Sequence, residues 1–318
     1  MANRKVVGVL RGGKSSLYDI SVLSGQHVLK NIPEDFDTLD IFVARDGTWH
    51  VYGAPVSPEE AARKVDIIFN ALHGGYGEDG KVQHILESLG VPYTGSQGFP
   101  SMLSLHKHLA RDHFKKHGFK IPHATIIHKN DDIENALRYI FNSVSPPWVI
   151  KPTREGASLG VSYARSFEEL RRGVEEALEY GDSVLVEEYI NGKEVSSLVV
   201  EGDGVVHVLP PVVIQKNTPI LDYETKQQIS NLTFPEDLSS EEHWMVKNIA
   251  AQAHKKLGLR HYSRVDCIID PKRGVFLLEV NSLPGLHRDS LVHKSLRSAG
   301  TSFKDFLGHV LDLAHLRK

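Results

Sequence analysis

The sequence predicts an α/β protein that opens on a parallel sheet and becomes α+β in character toward its carboxyl end. Three observations predict it. Short apolar runs at residues 6–10, 39–45 and 65–71 alternate with helix-like segments at 21–29 and 82–89. Two of these runs lead into glycine pairs, Gly12-Gly13 and Gly74-Gly75. Beyond about residue 195, successive apolar runs follow one another as strands before the next helix. Alternation of the first kind builds βαβ units. Ligands collect at the carboxyl ends of strands in such sheets, where both glycine pairs sit.

A chain of 318 residues is too long for one core of ordinary size, so two or three units sharing a cleft are expected. The first, residues 1–100, holds the alternating segments and ends on a short strand and turn at 91–95. The second, 101–191, reads as helices at 104–117 and 133–144, a strand at 148–151, a short strand at 162–163, a helix at 167–179 and a strand at 183–188. The third, 192–318, reads as strands at 195–200 and 205–213 and a polar loop at 215–232. A helix at 240–257 follows, then a hairpin of 264–269 with 275–280. A closing helix spans 303–316, with Ser302 as its N-cap.

Composition excludes several classes. Net charge is -3, from 37 Lys+Arg against 40 Asp+Glu, whereas a nucleic-acid binder carries a basic excess. Any anionic ligand must be held by a few local cations. The single cysteine, Cys267, excludes an internal disulfide and a cysteine-rich metal site, and reads as a small buried strand residue. The apolar run after the basic start is too short for a signal segment. No stretch reaches the roughly 20 apolar residues that span a bilayer. A cytoplasmic protein with no membrane and no nucleic-acid partner is expected.

Three segments carry chemistry. The loop Lys151-Pro152-Thr153-Arg154-Glu155-Gly156-Ala157-Ser158-Leu159-Gly160-Val161 lies between two strands. Its glycines let backbone N–H groups approach phosphate oxygens, and Lys151 adds a point charge; a flexible hairpin fits equally well. On the late hairpin, Glu279 and Asn281 are two apart and share a face, with Asp266 nearly opposite. Two carboxylates and an amide oxygen suit Mg²⁺. The alternative is a solvent-facing polar strand, weakened by the apolar flank 275–278. Third, residues 185–190 followed by Glu194 read as a strand edge able to hold an adenine, or as an ordinary strand and its exit turn.

The order of these pieces resembles the ATP-grasp fold. A glycine loop follows Lys151-Pro152, then comes Leu185-Val186-Glu187-Glu188-Tyr189-Ile190, then Arg264-Val265-Asp266 on a hairpin with Leu278-Glu279-Val280-Asn281. The likeness sharpens to the D-alanine–D-alanine ligase family. Leu10-Arg11-Gly12-Gly13-Lys14-Ser15-Ser16 with Ser21 and Ser24-Gly25 is similar to its opening motif. Ala71-Leu72-His73-Gly74 with Gly77-Glu78-Asp79-Gly80 and Gln83 is similar to its second. Pro92-Tyr93-Thr94-Gly95-Ser96, Leu105-His106-Lys107 and Asp222-Tyr223-Glu224 with Lys226 follow in order. Asn281-Ser282-Leu283-Pro284-Gly285-Leu286 with Ser290-Leu291-Val292 completes the set.

The resemblance implies an ATP-dependent carboxylate–amine ligase of peptidoglycan precursor synthesis, acting through an acyl phosphate. It places Lys107 and Lys151 on the phosphates, Glu155 and Ser158 in the loop closing over them, and Glu187 and Glu188 beside the adenine. Glu194 would hold the ribose and Lys226 would sit on the loop covering the site. Asp266, Glu279 and Asn281 would hold two Mg²⁺ ions, with Mn²⁺ as a substitute. Arg264 and the N–H of Gly285 would stabilise the tetrahedral oxyanion, with His73 and Ser158 counted among the catalytic groups. Ser290 and Leu291 would contact the second amino acid. A homodimer acting on small amino-acid substrates is the family expectation.

Three departures concern the first amino acid. The family's opening motif has a glutamate where Leu17 stands, its glycine loop has a serine where Ala157 stands, and its covering loop has a tyrosine where Gln227 stands. Asp19 is the nearest replacement for the lost carboxylate, or else a helix N-cap. Three readings follow: a ligase of D-alanine with D-alanine, the same mechanism with another first substrate, and a nucleotide-binding homologue with weakened turnover. The joint presence of Lys151, Arg264, Asp266, Glu279 and Asn281 weighs against the third.

Overall fold

The computed structural model describes residues 4–156, 158–215, 220 and 238–316. Among them, three sheets carry the fold. In the first, β1 (Lys5–Gly12), β2 (Phe36–Val43) and β5 (Ile67–Asn70) are parallel, with β3 (Trp49–Val51) and β4 (Ala54–Val56) as an antiparallel edge. The strand order is β4-β3-β2-β1-β5. Val7, Val9, Leu10, Ile67, Ile68 and Phe69 are all fully buried, as strands covered on both faces require. The crossover from β1 to β2 is α1 (Tyr18–Asn31), and α2 (Pro58–Ala62) starts on a Ser57–Glu60 capping box. Ser21 on α1 accepts the N–H of Gly12 and donates to the carbonyl of Ala71, both at 2.8 Å. It thereby ties together the carboxyl ends of β1 and β5. The turn after β5 leads to α3 (Lys81–Ser88).

After α4 (Gly98–Leu105) and α5 (Lys107–Lys116) comes a four-stranded antiparallel sheet in the order β6-β9-β7-β8. Its strands are β6 (Ala124–His128), β7 (Trp148–Pro152), β8 (Ser162–Ala164) and β9 (Ser183–Glu188). Trp148, Ile127 and Ile150 pack against Leu137 and Ile140 of α6 (Ile133–Ser143) and Leu170 and Val174 of α7 (Phe167–Leu178). The third sheet is also antiparallel: β10 (Lys193–Gly202), β11 (Val205–Val208), β12 (Val212–Ile214), β13 (Tyr262–Asp270) and β14 (Gly274–Asn281). It is covered by α8 (Ser240–Leu257). After α9 (Leu291–Ser298), the final helix α10 (Phe303–Leu316) returns to the first sheet. Its Phe306, Leu307, Val310 and Leu311 share one core with Val7, Val9, Ile67 and Phe69 of the first sheet and with Leu198 and Tyr262 of the third. Apolar burial at roughly 25 cal/mol per Å² makes this core the bond between the two ends of the chain.

Several expectations shift. The helix expected over 104–117 is two helices, because His106 takes φ -82, ψ 90. There the N–H of Lys107 donates to the carbonyl of Thr153 at 3.0 Å, so a tertiary bond replaces the helical one. The strand expected over 205–213 divides into β11 and β12, since Pro210 and Pro211 offer no ladder donor. Residues 91–95 make a single bridge, Ile68 to Tyr93, rather than a strand. Ser302 accepts the N–H of Asp305 at 3.1 Å, as an N-cap does. Of the loop expected at 215–232, all but Gln215 and Ile220 lie outside the described residues.

At Gly12, φ is +93, and a Cβ there would stand 2.2 Å from the carbonyl oxygen of Val43. Gly12→Ala is therefore expected to destabilise the fold by about 1–3 kcal/mol. Thermal melting measures this, and an unchanged midpoint would show that the turn after β1 is not confined as described.

Candidate active site

The hairpin β13–β14 brings the expected oxygen ligands together. Asp266 pairs with Glu279 and Arg264 with Asn281 in the ladder. Asp266 is buried and fully engaged. It accepts from Arg264 Nε at 3.0 Å and Nη2 at 2.8 Å, from Ser196 Oγ at 2.6 Å and from Asn281 Nδ2 at 3.2 Å. This network turns the amide nitrogen of Asn281 to Asp266, and a half-turn of the amide would bring its oxygen to the same point for a cation. Two carboxylates and an amide on one face, beside a guanidinium that already seats a cation against Asp266, fit a hard divalent ion.

Beside the hairpin, a cavity of about 110 Å³ is lined by Lys107, Lys151, Glu155, Ser158, Glu187, Glu188, Glu194, Asp266 and Glu279, among others. Lys107 begins α5, and its Nζ donates to the carbonyl of Glu155 at 2.7 Å and lies 3.6 Å from Glu279. Lys151 Nζ lies 2.7 Å from Glu187, whose other oxygen accepts from Arg111 at 2.8 Å. Glu187 is almost completely buried, so two cations flank one carboxylate and the trio carries a net positive charge. Glu188 is held by Arg273 at 2.7 Å and by the N–H of His123. Ser158 sits in the glycine loop with φ +64. The loop is fastened to the amino-terminal unit, because Ser16 donates to Glu155 at 2.6 Å.

A second cavity, about 400 Å³, continues from the first through Lys107, Glu155, Leu278 and Glu279. Its walls include Leu17, Ile20, His73, Arg264, Gly285, Ser290 and Leu291. His73 is buried between the carbonyl of Leu283 at 3.0 Å and Ser24 Oγ at 2.8 Å. Burial pushes its pKa down to about 4, so the imidazole is neutral. With Nδ1 donating to the carbonyl, Nε2 accepts from Ser24, which also accepts the N–H of Leu286 at 3.0 Å. His73 thus braces the turn that presents Gly285. Glu78 accepts the N–H of Gly74 at 2.7 Å and the hydroxyl of Ser282 at 3.3 Å, and burial raises its pKa to about 7. Ser290 caps α9, of which Leu291 is the first residue.

Asp19 is not brought to the site. It stands in the first turn of α1, exposed, 3.2 Å from Arg45, and the N-cap position belongs to Leu17. Lys226, Ala157 and Gln227 lie outside the described residues. Arg111 and Ser196 were missed by sequence reading. Arg111 is four residues after Lys107 on one helix, and Ser196 two after Glu194 on one strand, so both shared a face with a residue already singled out.

A glycine loop on one antiparallel sheet and a carboxylate hairpin on another, closing on a cation-lined cleft, define an ATP-grasp carboxylate–amine ligase. The comparisons make the family specific. Residues 114–312 match the model "D-ala D-ala ligase C-terminus" and residues 51–96 the model "D-ala D-ala ligase N-terminus". A D-alanine--D-alanine ligase of Cupriavidus taiwanensis is 32% identical over 98% of this chain and 92% of its own length. One from Geobacter sulfurreducens is 33% identical over 98% and 94%. Among solved structures, the VanG D-Ala:D-Ser ligase from Enterococcus faecalis superposes with TM-score 0.83 at 27% identity, covering 98% of this chain and 100% of that one. The D-alanine-D-alanine ligase from Coxiella burnetii shares the fold, with TM-score 0.85 at 23% identity over 99% and 95%. The chain belongs to the D-alanine–D-alanine ligase family.

The buried groups set an acid sensitivity. His73 and His293 both have folded pKa values lowered from 6.5 to about 4, each mainly by burial. The unfolded chain takes up these protons first, so stability falls as pH drops from 6.5 toward 4. Glu78 opposes this, because its pKa is raised from 4.5 to about 7 and its cost grows as pH rises through that window. Two histidines outweigh one glutamate, so the melting midpoint is expected to be lower at about pH 5 than at about pH 7. His293→Phe, which keeps the ring packed on Phe303, should flatten that drop. An unaltered slope would count against it.

Proposed function

We propose that this chain uses ATP to activate the carboxylate of one amino acid as an acyl phosphate and joins it to the amine of a second. The product is a dipeptide of the D-alanyl-D-alanine type for peptidoglycan precursor synthesis. The carrying observation is the meeting of Asp266, Glu279 and Asn281 with Lys107, Lys151 and Arg264 at the junction of two continuous cavities. ATP lies in the smaller cavity, with Lys107 and Lys151 on its phosphates, the loop of Glu155 and Ser158 over them, Glu187 and Glu188 at the adenine and Glu194 at the ribose. Mg²⁺, when bound by Asp266, Glu279 and Asn281, neutralises phosphate charge. Arg264 and the N–H of Gly285 stabilise the oxyanion in the larger cavity, where Ser290 and Leu291 meet the second amino acid. Lys226 belongs to the covering loop. The units 1–100, 101–191 and 192–318, a homodimer and a cytoplasmic setting complete the reading. Among the described residues no helix is long and apolar enough to cross a membrane.

Lys151→Ala is expected to weaken ATP binding about tenfold or more, since a charge-assisted contact contributes roughly 1.5–3 kcal/mol. Calorimetric titration reads this directly, and wild-type affinity would remove Lys151 from the phosphate site.

A different first amino acid is the second reading, and one wall of the cavity favours it. Leu17 and Ile20 present apolar surface there, while Asp19 faces solvent. Of the carboxylates lining this cavity, Glu155 is bonded to Ser16, and Glu78 is bonded to Gly74 and Ser282. An ammonium at this wall is short of its counter-charge, and an uncompensated buried charge costs several kcal/mol. ADP release against a panel of D- and L-amino acids tests both readings. The expected result is a high KM for D-alanine at the first subsite, lowered by Leu17→Glu. Saturation by micromolar D-alanine at both subsites of the unmodified protein would exclude the altered first subsite, and silence across the panel would exclude the ligase.

A further inference from the structure

We infer that His287 is the general base that frees the amine of the second amino acid for attack. The inference rests on the ligase reading above and adds a residue to it. The second substrate arrives as an ammonium, which has no lone pair, so a group near the acyl carbon must remove a proton before the bond can form.

His287 stands where such a group is needed. It follows Gly285 by two residues, precedes Ser290 by three, and lines the larger cavity together with both and with Arg264. A methyl group on Gly285 would stand 3.4 Å from Cδ2 and 3.6 Å from Nε2 of His287, so the nitrogen-bearing edge of the ring lies against the residue assigned to the oxyanion. The turn is fixed by the N–H of Ser290, which donates to the carbonyl of His287 at 3.0 Å. The ring itself makes no hydrogen bond to any described residue, unlike three other bases that line the cavity. Both nitrogens of His73 are bonded, Glu78 accepts from Gly74 and Ser282, and Glu155 accepts from Ser16.

The surroundings keep the imidazole neutral. Burial lowers the pKa of His287, Asp289 on the same turn raises it, and His27 on α1 and Lys294 on α9 lower it further. His73 and His293 also face it. A neutral ring with Asp289 beside it has a free lone pair and a carboxylate to favour the imidazolium once formed.

In the step, one ammonium proton passes to the imidazole. The freed nitrogen pair attacks the acyl-phosphate carbonyl carbon, and the oxyanion rests on Arg264 and the Gly285 N–H. The carbon–oxygen bond to phosphate then breaks with its electron pair leaving on phosphate. The second proton lost by nitrogen goes to that phosphate, so amide, hydrogen phosphate and imidazolium balance acyl phosphate, ammonium and imidazole.

His287→Asn and His287→Gln separate the two halves of the reaction. Ligation is measured over a pH series with the amino acids that support ADP release in the wild type. In parallel, hydroxylamine, a nucleophile already neutral near neutrality, replaces the second amino acid and traps the acyl phosphate as a hydroxamate. Near pH 7, kcat/KM for the second amino acid is expected to fall about 100-fold in both variants. The deficit should narrow as rising pH deprotonates the amine, while hydroxamate forms at the wild-type rate. Wild-type ligation with an unshifted pH profile in the variants overturns the assignment. So does loss of hydroxamate along with ligation, which would give His287 a role in folding or phosphoryl transfer. A wild type that forms no hydroxamate with any amino acid instead overturns the ligase reading, and the base with it.

Discussion

One irregularity in the β13–β14 ladder governs the site. Asp266 pairs with Glu279, but the next residue, Cys267, pairs with Leu277, so Leu278 is an extra residue on β14. Below it, Val275 and Leu277 point into the core, and strict alternation would send residue 279 the same way. The bulge resets the phase. Leu278 and Glu279 both reach the cleft, Val280 returns to the core and Asn281 comes back to the cleft. Without the extra residue, Glu279 would be an unpaired carboxylate inside an apolar layer, a cost no ordinary core tolerates. Bulges that re-aim a side chain beside a working site are a recurring use of this geometry.

With the acidic face set, the cleft becomes a problem of charge. Asp266, Glu187 and Glu279 are drawn together out of bulk water, which costs several kcal/mol per ion unless each is compensated. Arg264 answers Asp266 as a two-pronged fork, Lys151 and Arg111 answer Glu187, and Lys107 approaches Glu279. These cations come from α5, β7 and β13, so the charges hold three parts of the chain to one cleft. A net charge of -3 for the whole molecule says nothing of this, because the balance that matters is local.

What could be read from sequence follows from how local its cause is. Buried parallel strands announce themselves as apolar runs, and β1 and β5 were legible on that ground. Glu279 and Asn281 on one face, with Asp266 nearly opposite, were legible because residues two apart on a strand point the same way, while the direct pairing of Asp266 with Glu279 is the work of the bulge. The break at His106 was not, since it is made by the carbonyl of Thr153, far along the chain. Arg111 was hidden for a related reason: only the fold shows that its partner is Glu187. Asp19 misled because a carboxylate two residues from the expected one reads as a substitute, while the helix turns it outward onto Arg45. The bulge at Leu278 left no trace, because an apolar residue beside an acidic one fits a regular strand equally well.

The larger cavity has one rigid side and one side free to differ. His73 and Ser24 pin the turn of Leu283 to Leu286, and the core shared by α10 and the first sheet holds that turn's base. Gly285 and the cap at Ser290 are therefore fixed relative to the end of β5. Leu17 and Ile20 lie at the start of α1, with a methyl of Leu17 about 3.0 Å from where a Cβ on Gly156 would stand and a methyl of Ile20 3.9 Å from where one on Gly285 would. Among the described residues the side chains of Leu17 and Ile20 make no hydrogen bond, so a change of side chain there alters the shape of the cavity while leaving the bonds of His73, Ser24 and Arg264 in place. The side chains of Lys107, Lys151, Arg264, Asp266 and Glu279 can hence stay together while that side of the cavity changes, because among the described residues Leu17 enters the surrounding hydrogen bonds through its backbone, whose N–H donates to Ser15, itself a donor to the carbonyl of His73.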